Sequence, residues 1–261
     1  MPTIILKNVS KRYVLKRNIL FPKHSQSEIG VQDIDLTIRQ GEFVSVIGSS
    51  GAGKSTLLNL IAGQIKPNSG TVTINGKRIS HKKRWQERKL PLLIGYVSQT
   101  HMLNRSIKVE ENLRIAARAG QKRFDDKNNC KDRVQKVLGL TGLAGKESKY
   151  PGELTAGECR RVELARALIN SPPILVLDEV MANLDADSMW DVFLLLYEIN
   201  QRGTTIIMAT HNSDFVNMIH RRVITLVDGR IYSDQDKARF GEIRREKPAM
   251  DPKLQMLKQA K

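Results

Sequence analysis

A glycine-rich turn that ends in Lys-Ser-Thr follows the short apolar run Phe43–Ile47. Glycines let the backbone wrap closely around phosphates, and the helix that follows favours anions at its N-terminus. Lys54 can then reach the β- and γ-phosphates of a nucleotide, and the Ser55 hydroxyl can hold Mg²⁺. The spacing is that of a P-loop and predicts nucleoside triphosphate binding. The predicted contacts are Gly48, Ser49, Ser50, Gly51, Ala52, Gly53, Lys54, Ser55 and Thr56.

Two further apolar runs end in side chains that suit phosphate chemistry. Ile174–Leu177 is followed directly by two carboxylates, Asp178 and Glu179. Beside a P-loop, Asp178 can hold Mg²⁺ and Glu179 can polarise water for attack on the γ-phosphate. Thr204–Ala209 leads to His211, which can bridge the γ-phosphate, the water and Glu179. Taken alone, each pattern also fits a strand that ends in solvated acids or in a structural histidine.

The elements that must position these residues are short strands separated by helical stretches. Continuous apolar runs are typical of strands buried on both faces of a parallel sheet. The segment 100–168 is rich in helix formers and indicates an inserted helical subdomain. From 237 to 261 the chain turns polar and basic, which predicts a weakly ordered tail. The predicted strands are Thr3–Lys7, Phe43–Ile47, Thr71–Ile74, Gly95–Ser98, Ile174–Leu177, Thr204–Ala209 and Val223–Val227.

Composition narrows the class of protein. The 261 residues are 40% hydrophobic, enough for one α/β domain with an appendage. No apolar stretch reaches the roughly 20 residues that cross a bilayer, and the first residues lack a signal-peptide pattern, so a cytoplasmic location is expected. Cys130 and Cys159 make neither a disulfide framework nor a metal cluster and are expected to be free thiols. The net charge of +16 fits solvated faces, an anionic membrane surface or nucleic acid.

The ordered set of motifs resembles that of the ABC-type ATPases. Besides the P-loop (Walker A) and the Asp178–Glu179 strand (Walker B), the chain has four further motifs of that family and its switch histidine, His211. The four are an early aromatic residue, a Q-loop glutamine, a signature-like turn and a D-loop, at Tyr13, Gln99, Leu154–Glu158 and Asn183–Asp185. The resemblance implies an α/β P-loop NTPase fold, in which a RecA-like core carries an antiparallel β subdomain and an inserted helical subdomain. It implies an ATPase domain over residues 1–236, with the helical subdomain at about 100–168, and a basic tail over 237–261.

The resemblance also implies how ATP is held. In this family two copies dimerise head to tail, with ATP between Walker A of one copy and the signature of the other. It therefore implies that the second copy contributes Thr155, Gly157 and Glu158. Within one copy it implies adenine stacking by Tyr13, Mg²⁺ contacts from Ser55, Gln99 and Asp178, and catalytic roles for Glu179 and His211.

Within the family, the C-terminal run from Gly203 to Arg230 is similar to the FtsE branch of cell-division ATPases. That similarity implies an FtsX-like transmembrane partner, control of cell-wall hydrolysis, contact with divisome proteins, and a place on the cytoplasmic face of the cell membrane. The LolD/MacB-type exporter ATPases share much of the pattern and stay an alternative. A soluble nucleic-acid-associated ABC ATPase is disfavoured, because such proteins usually carry two cassettes or a long coiled coil.

Several positions depart from the family pattern. Thr155–Ala156 stands where Ser-Gly is usual, Val180–Ala182 stands where Pro-Thr-Gly is usual, and an extra loop is expected from Lys16 to Gly30. The Ala156 methyl group is expected to crowd the nucleotide, so a slow regulatory nucleotide sensor is a further alternative. The basic tail is expected to contact the anionic membrane surface or the membrane partner.

Overall fold

The computed structural model describes residues 4–16, 26–79, 90, 92–100, 102–118 and 127–240. The strands are β1 (Ile4–Lys16), β2 (Gln26–Ile38), β3 (Phe43–Ile47), β4 (Ser69–Ile74), β5 (Lys77–Arg78), β6 (Ile94–Val97), β7 (Ile174–Asp178), β8 (Thr205–Ala209), β9 (Arg222–Val227) and β10 (Arg230–Gln235). The helices are α1 (Lys54–Ile61), α2 (Val109–Arg118), α3 (Lys127–Leu140), α4 (Ala156–Leu168), α5 (Ala186–Gln201) and α6 (Ser213–Ile219), with a 3₁₀ turn at Pro151–Glu153.

A six-stranded sheet in the order β10-β9-β3-β8-β7-β6 forms the centre of the molecule. Its strands are parallel except β10, which pairs antiparallel with β9. Every residue of β3, β7 and β8 is buried, which explains the continuous apolar runs in the sequence. Because parallel strands end at the same edge, the segments that follow β3, β6, β7 and β8 meet there.

A second, antiparallel sheet in the order β2-β1-β4-β5 packs over α1 and the central sheet through a shared apolar core. The predicted first strand, Thr3–Lys7, was too short, because β1 continues to Lys16 through irregular register that breaks the apolar alternation. The expected loop from Lys16 to Gly30 was wrong at its end, where residues 26–30 belong to β2. The edge strand β10 was not predicted, because it is mostly polar and none of its residues is fully buried.

The helices α2, α3 and α4 form the inserted helical subdomain and bury apolar residues in a second core under β7 and β8. Beyond β10, Ala238 is buried against Ile47, Val216 and Val223, and the Phe240 N–H donates to Asn217 Oδ1 at 2.8 Å. Residues 241–261, and with them most of the predicted tail, lie outside the described residues. In the described part of the chain, no helix is both long and apolar enough to span a bilayer.

Candidate nucleotide-binding and catalytic site

The predicted phosphate-binding loop connects β3 to α1. Gly53 is the N-cap of α1 and has a φ of 97°, in the left-handed region that favours glycine. A Cβ atom at Gly53 would lie 2.1 Å from the Gly30 carbonyl oxygen, so only glycine fits between the loop and β2. The loop therefore ends at the N-terminus of a helix, where backbone N–H groups favour an anion.

Lys54 lies beneath this loop and is only 5% exposed. Its Nζ donates to the carbonyl oxygens of Gly48 at 3.1 Å and Ser49 at 3.0 Å, and lies 3.0 Å from His211 Nε2. Burial lowers the pKa of Lys54, and the negative charges of Glu179 and Asp178 oppose that shift. The ammonium group is thus held by the loop itself, beside the carboxylates at the ends of the strands.

Glu179 directly follows β7 and contacts residues at the ends of β6 and β8. Its backbone has a φ of 50°, a left-handed conformation that costs free energy and is frequent at functional sites, and its N–H donates to Ala209 O at 3.0 Å. Its Oε2 accepts from Gln99 Nε2 at 3.0 Å, and its Oε1 lies 3.1 Å from His211 Nε2. The single His211 Nε2 atom can either donate to Glu179 or accept from Lys54. The predicted convergence of the segments after β6, β7 and β8 is therefore present.

Asp178 is 2% exposed, and its Oδ1 has no hydrogen-bond partner among the described residues. Burial raises the pKa of this carboxyl, an effect that the Ser55 hydroxyl and the Lys54 ammonium partly oppose. An unpaired buried carboxylate oxygen beside a hydroxyl is a fitting ligand pair for a hard cation such as Mg²⁺.

Most of these residues line one open cleft of about 300 Å³. Asp178 instead lines a second cavity of about 750 Å³, which shares Ser55 and Gln99 with the cleft. Tyr13 lies at the rim of the cleft, where its hydroxyl is 3.3 Å from Thr56 Oγ1 and its ring is partly exposed. Of the predicted residues, Tyr13, Ser50, Gly51, Gly53, Lys54, Ser55, Thr56, Gln99, Glu179 and His211 line this cleft. Gly48, Ser49 and Ala52 do not line it: the carbonyl groups of Gly48 and Ser49 accept hydrogen bonds from Lys54, and Ala52 is buried.

The signature-like turn is not among the residues that line this cleft. Thr155 is the N-cap of α4: its Oγ1 accepts from the Glu158 N–H at 3.1 Å, and Glu158 Oε2 accepts from the Thr155 N–H at 2.9 Å. A Cβ atom at Gly157 would lie 2.3 Å from Ser188 Oγ, so the first turn of α4 packs tightly on α5. The contact of Thr155, Gly157 and Glu158 with a second copy's nucleotide stays a prediction.

Sequence analysis missed one group of polar residues near the site. Arg160 and Glu163 on α4 are buried and contact the segment that carries Gln99. Opposite charges three residues apart on one helix face were the available signal.

Comparison with known proteins agrees with this architecture. The ABC transporter family matches residues 31–182. The cell division ATP-binding protein FtsE of Streptococcus pneumoniae serotype 2 is 35% identical over 231 residues, which cover 87% of this chain and 98% of that protein. FtsE of Bacillus subtilis is 40% identical over 80% of this chain and 90% of its own length. The methionine import ATP-binding protein MetN 2 of Bacillus licheniformis is 38% identical, over 89% of this chain and 65% of its own length.

Among solved structures, the ATP-binding cassette MJ0796, in a dimeric post-hydrolysis state bound to ADP and Pi, superimposes with a TM-score of 0.80 and 28% identity. The match covers 91% of this chain and all of that one. The predicted fold, a P-loop core with an antiparallel β subdomain and an inserted helical subdomain, is confirmed. The chain belongs to the ABC transporter family and is an ATPase of that family.

Proposed function

We propose that this ATPase is the FtsE-like subunit of a membrane complex, in which it drives an FtsX-like transmembrane protein and thereby controls cell-wall hydrolysis during cell division. The observation that carries the proposal is the extent of the similarity to FtsE, which covers 98% of the pneumococcal protein. The MetN 2 relative is of similar identity, but the chain spans only 65% of it. The similarity to FtsE thus extends over nearly all of the pneumococcal protein.

In the proposed reaction, the γ-phosphate of ATP lies between the phosphate-binding loop and Glu179. Glu179 takes a proton from a water molecule as the water oxygen bonds to the γ-phosphorus and the bond to the β-phosphate oxygen breaks. Lys54 stabilises the charge on the transferred phosphoryl group, and His211 bridges it to Glu179. Gln99 orients the carboxylate through its bond to Oε2. Tyr13 stacks on the adenine.

Mg²⁺ fits this site because Asp178 presents an unpaired buried oxygen beside the Ser55 hydroxyl. Ser55 and Asp178 would hold the ion, with the Gln99 side-chain oxygen as a third ligand. Bound there, Mg²⁺ would neutralise part of the charge on the β- and γ-phosphates.

Replacement of Asp178 by asparagine is expected to raise the thermal stability of the protein while weakening its binding of Mg²⁺. Burial raises the pKa of this carboxyl, so the folded protein loses stability as the pH rises through the raised pKa and the buried group ionises. Without nucleotide at neutral pH, Asp178→Asn should therefore raise the melting temperature by about 2–4 °C, equivalent to about 1 kcal/mol. The gain in melting temperature that Mg²⁺ and ATP give together should shrink in the variant. A variant that melts below the wild type without nucleotide and keeps that full gain would contradict this.

A second copy of this chain is the proposed partner across the nucleotide. The MJ0796 cassette is dimeric in the structure that matches this fold, which supports such an arrangement. The first turn of α4 would bring Thr155, Gly157 and Glu158 to the γ-phosphate of the other copy, where the helix N-terminus favours an anion. The departure at Val180–Met181 lies in the core, where both side chains are buried, so it alters packing behind Glu179 and removes no group of the proposed reaction.

The basic tail is the proposed contact with the anionic membrane surface. Residues 241–261 contain six basic and three acidic residues, and each basic residue near such a surface contributes about 1 kcal/mol, screened by salt. We expect the full chain to co-sediment with anionic vesicles at low salt more strongly than a chain ending at Phe240, which keeps the packing of Ala238. The ATPase rates of the two should agree. Equal sedimentation of both chains would show that the tail does not contribute to membrane binding.

Affinity purification of the tagged chain from solubilised membranes of its native host tests the proposed function. We expect an FtsX-like membrane protein to co-purify, and depletion of the chain to impair cell division. Co-purification of a transporter permease in its place, with division unaffected, would overturn the cell-division role, and an exporter permease would favour the LolD/MacB-type alternative. Recovery of nucleic acid in place of a membrane protein, which we do not expect, would favour the soluble alternative.

A further inference from the structure

The segment that carries Gln99 is fastened to one face of α4. Arg160 and Glu163 are three residues apart, so both side chains lie on that face. Arg160 Nη1 donates to the Ser98 carbonyl oxygen at 3.3 Å, and the Met102 N–H donates to Glu163 Oε1 at 3.1 Å. Backbone groups on both sides of Gln99 are therefore bonded to the same pair of side chains.

A third residue on this face completes the attachment. Arg166, three residues after Glu163, donates from Nη1 to the Met102 carbonyl oxygen at 2.5 Å. Burial lowers the pKa of Arg166, and the charge of Glu163 opposes that shift. Both the N–H and the carbonyl group of Met102 are thus held by α4.

The ion pair at the centre of this face is almost completely buried. Arg160 Nη1 lies 2.7 Å from Glu163 Oε2, and the two side chains are 3% and 1% exposed. Arg160 Nε has no hydrogen-bond partner among the described residues. Removing two charges from water is costly, and apolar residues in place of such pairs are often neutral or stabilising. Stability alone therefore does not account for charged residues at these positions.

We propose that Arg160 and Glu163 are positioning residues for ATP hydrolysis, which hold the backbone at Ser98 and Met102 so that Gln99 stays bonded to Glu179. That bond, 3.0 Å from Gln99 Nε2 to Glu179 Oε2, leaves Oε1 facing His211. Because α4 begins directly after Thr155, the helix that starts at the signature-like turn also sets the position of Gln99. The proposal rests on the role of Glu179 proposed above.

Steady-state kinetics of Glu163→Gln test the proposal first. The amide keeps an acceptor for the Met102 N–H but loses the charge that holds Arg160. We expect kcat to fall about tenfold, the rate equivalent of one hydrogen bond, with KM for ATP within about twofold of the wild type. The matched control is Glu198→Gln, which makes the same change in an exposed ion pair with Arg202 on α5. That control should keep the wild-type kcat.

A double-mutant cycle with Gln99→Ala separates positioning from a general structural effect. If Glu163 acts through Gln99, then Glu163→Gln should lower kcat no further in the Gln99→Ala background. Equal falls in both backgrounds would overturn the proposal. Retained phosphate release by Glu179→Gln would instead refute the proposed base, so the two failures are distinguishable.

If the single variants fold poorly, replacing both residues of the ion pair together tests the proposal. Arg160→Met with Glu163→Leu removes both charges of the buried pair together, so we expect a melting temperature near that of the wild type. Its kcat should nevertheless fall to the level of Gln99→Ala. A double variant with wild-type kcat would overturn the proposal. So would a double variant in which adding Gln99→Ala lowers kcat by as much as Gln99→Ala does in the wild type.

Discussion

Glu179→Gln should bind ATP with wild-type affinity and lose at least about a hundredfold in turnover. The substitution keeps the shape of the side chain and an oxygen for the bond from Gln99, but removes the charge that accepts the proton of water. If the proposed dimer closes on ATP and opens after hydrolysis, the variant should accumulate as an ATP-bound dimer. Calorimetry, phosphate release and light scattering measure the three quantities.

The control for this variant is again Glu198→Gln, because Glu198 is exposed on α5 and pairs only with Arg202 among the described residues. It should turn over ATP at the wild-type rate and show no excess of dimer. Wild-type phosphate release by Glu179→Gln would refute the assignment of Glu179 as the base.

Lys54→Ala should weaken ATP binding about ten- to a hundredfold. Its buried ammonium group is held by the loop carbonyls at the proposed phosphate site, and losing a charge-assisted contact there costs about 1.5–3 kcal/mol. Calorimetric titration with Mg²⁺ and ATP measures the change. Lys77→Ala removes an exposed lysine from β5 and should leave the affinity unaltered. Equal affinity for ATP in the wild type and in Lys54→Ala would refute the assignment of Lys54 as the dominant phosphate contact.

The strands of the central sheet and the candidate cleft could be predicted from the sequence because their signals are local. Buried strands of a parallel sheet read as continuous apolar runs, and β3, β7 and β8 were found within one residue of their ends. Since such strands end at one edge, the meeting of Lys54, Glu179 and His211 could be expected from their positions after those runs.

Features that depend on contacts between distant segments could not be predicted. The edge strand β10 was missed for a different reason: it pairs with its sequence neighbour β9, but it is mostly polar and lacks an apolar pattern. The length of β1 is set by register shifts against β2, which no local alternation reveals. The hydrogen bond from Arg160 to Ser98 joins residues that are 62 positions apart and that belong to different motifs of the sequence.

A single-turnover measurement on the full chain tests the central claim most directly. With the protein in excess over ATP and with Mg²⁺ present, this account predicts that bound ATP becomes ADP and phosphate in the wild type and stays intact in Glu179→Gln. Bound ATP that stays intact in the wild type as well, or is cleaved equally by both, would contradict a cleft in which Glu179 activates water against the γ-phosphate.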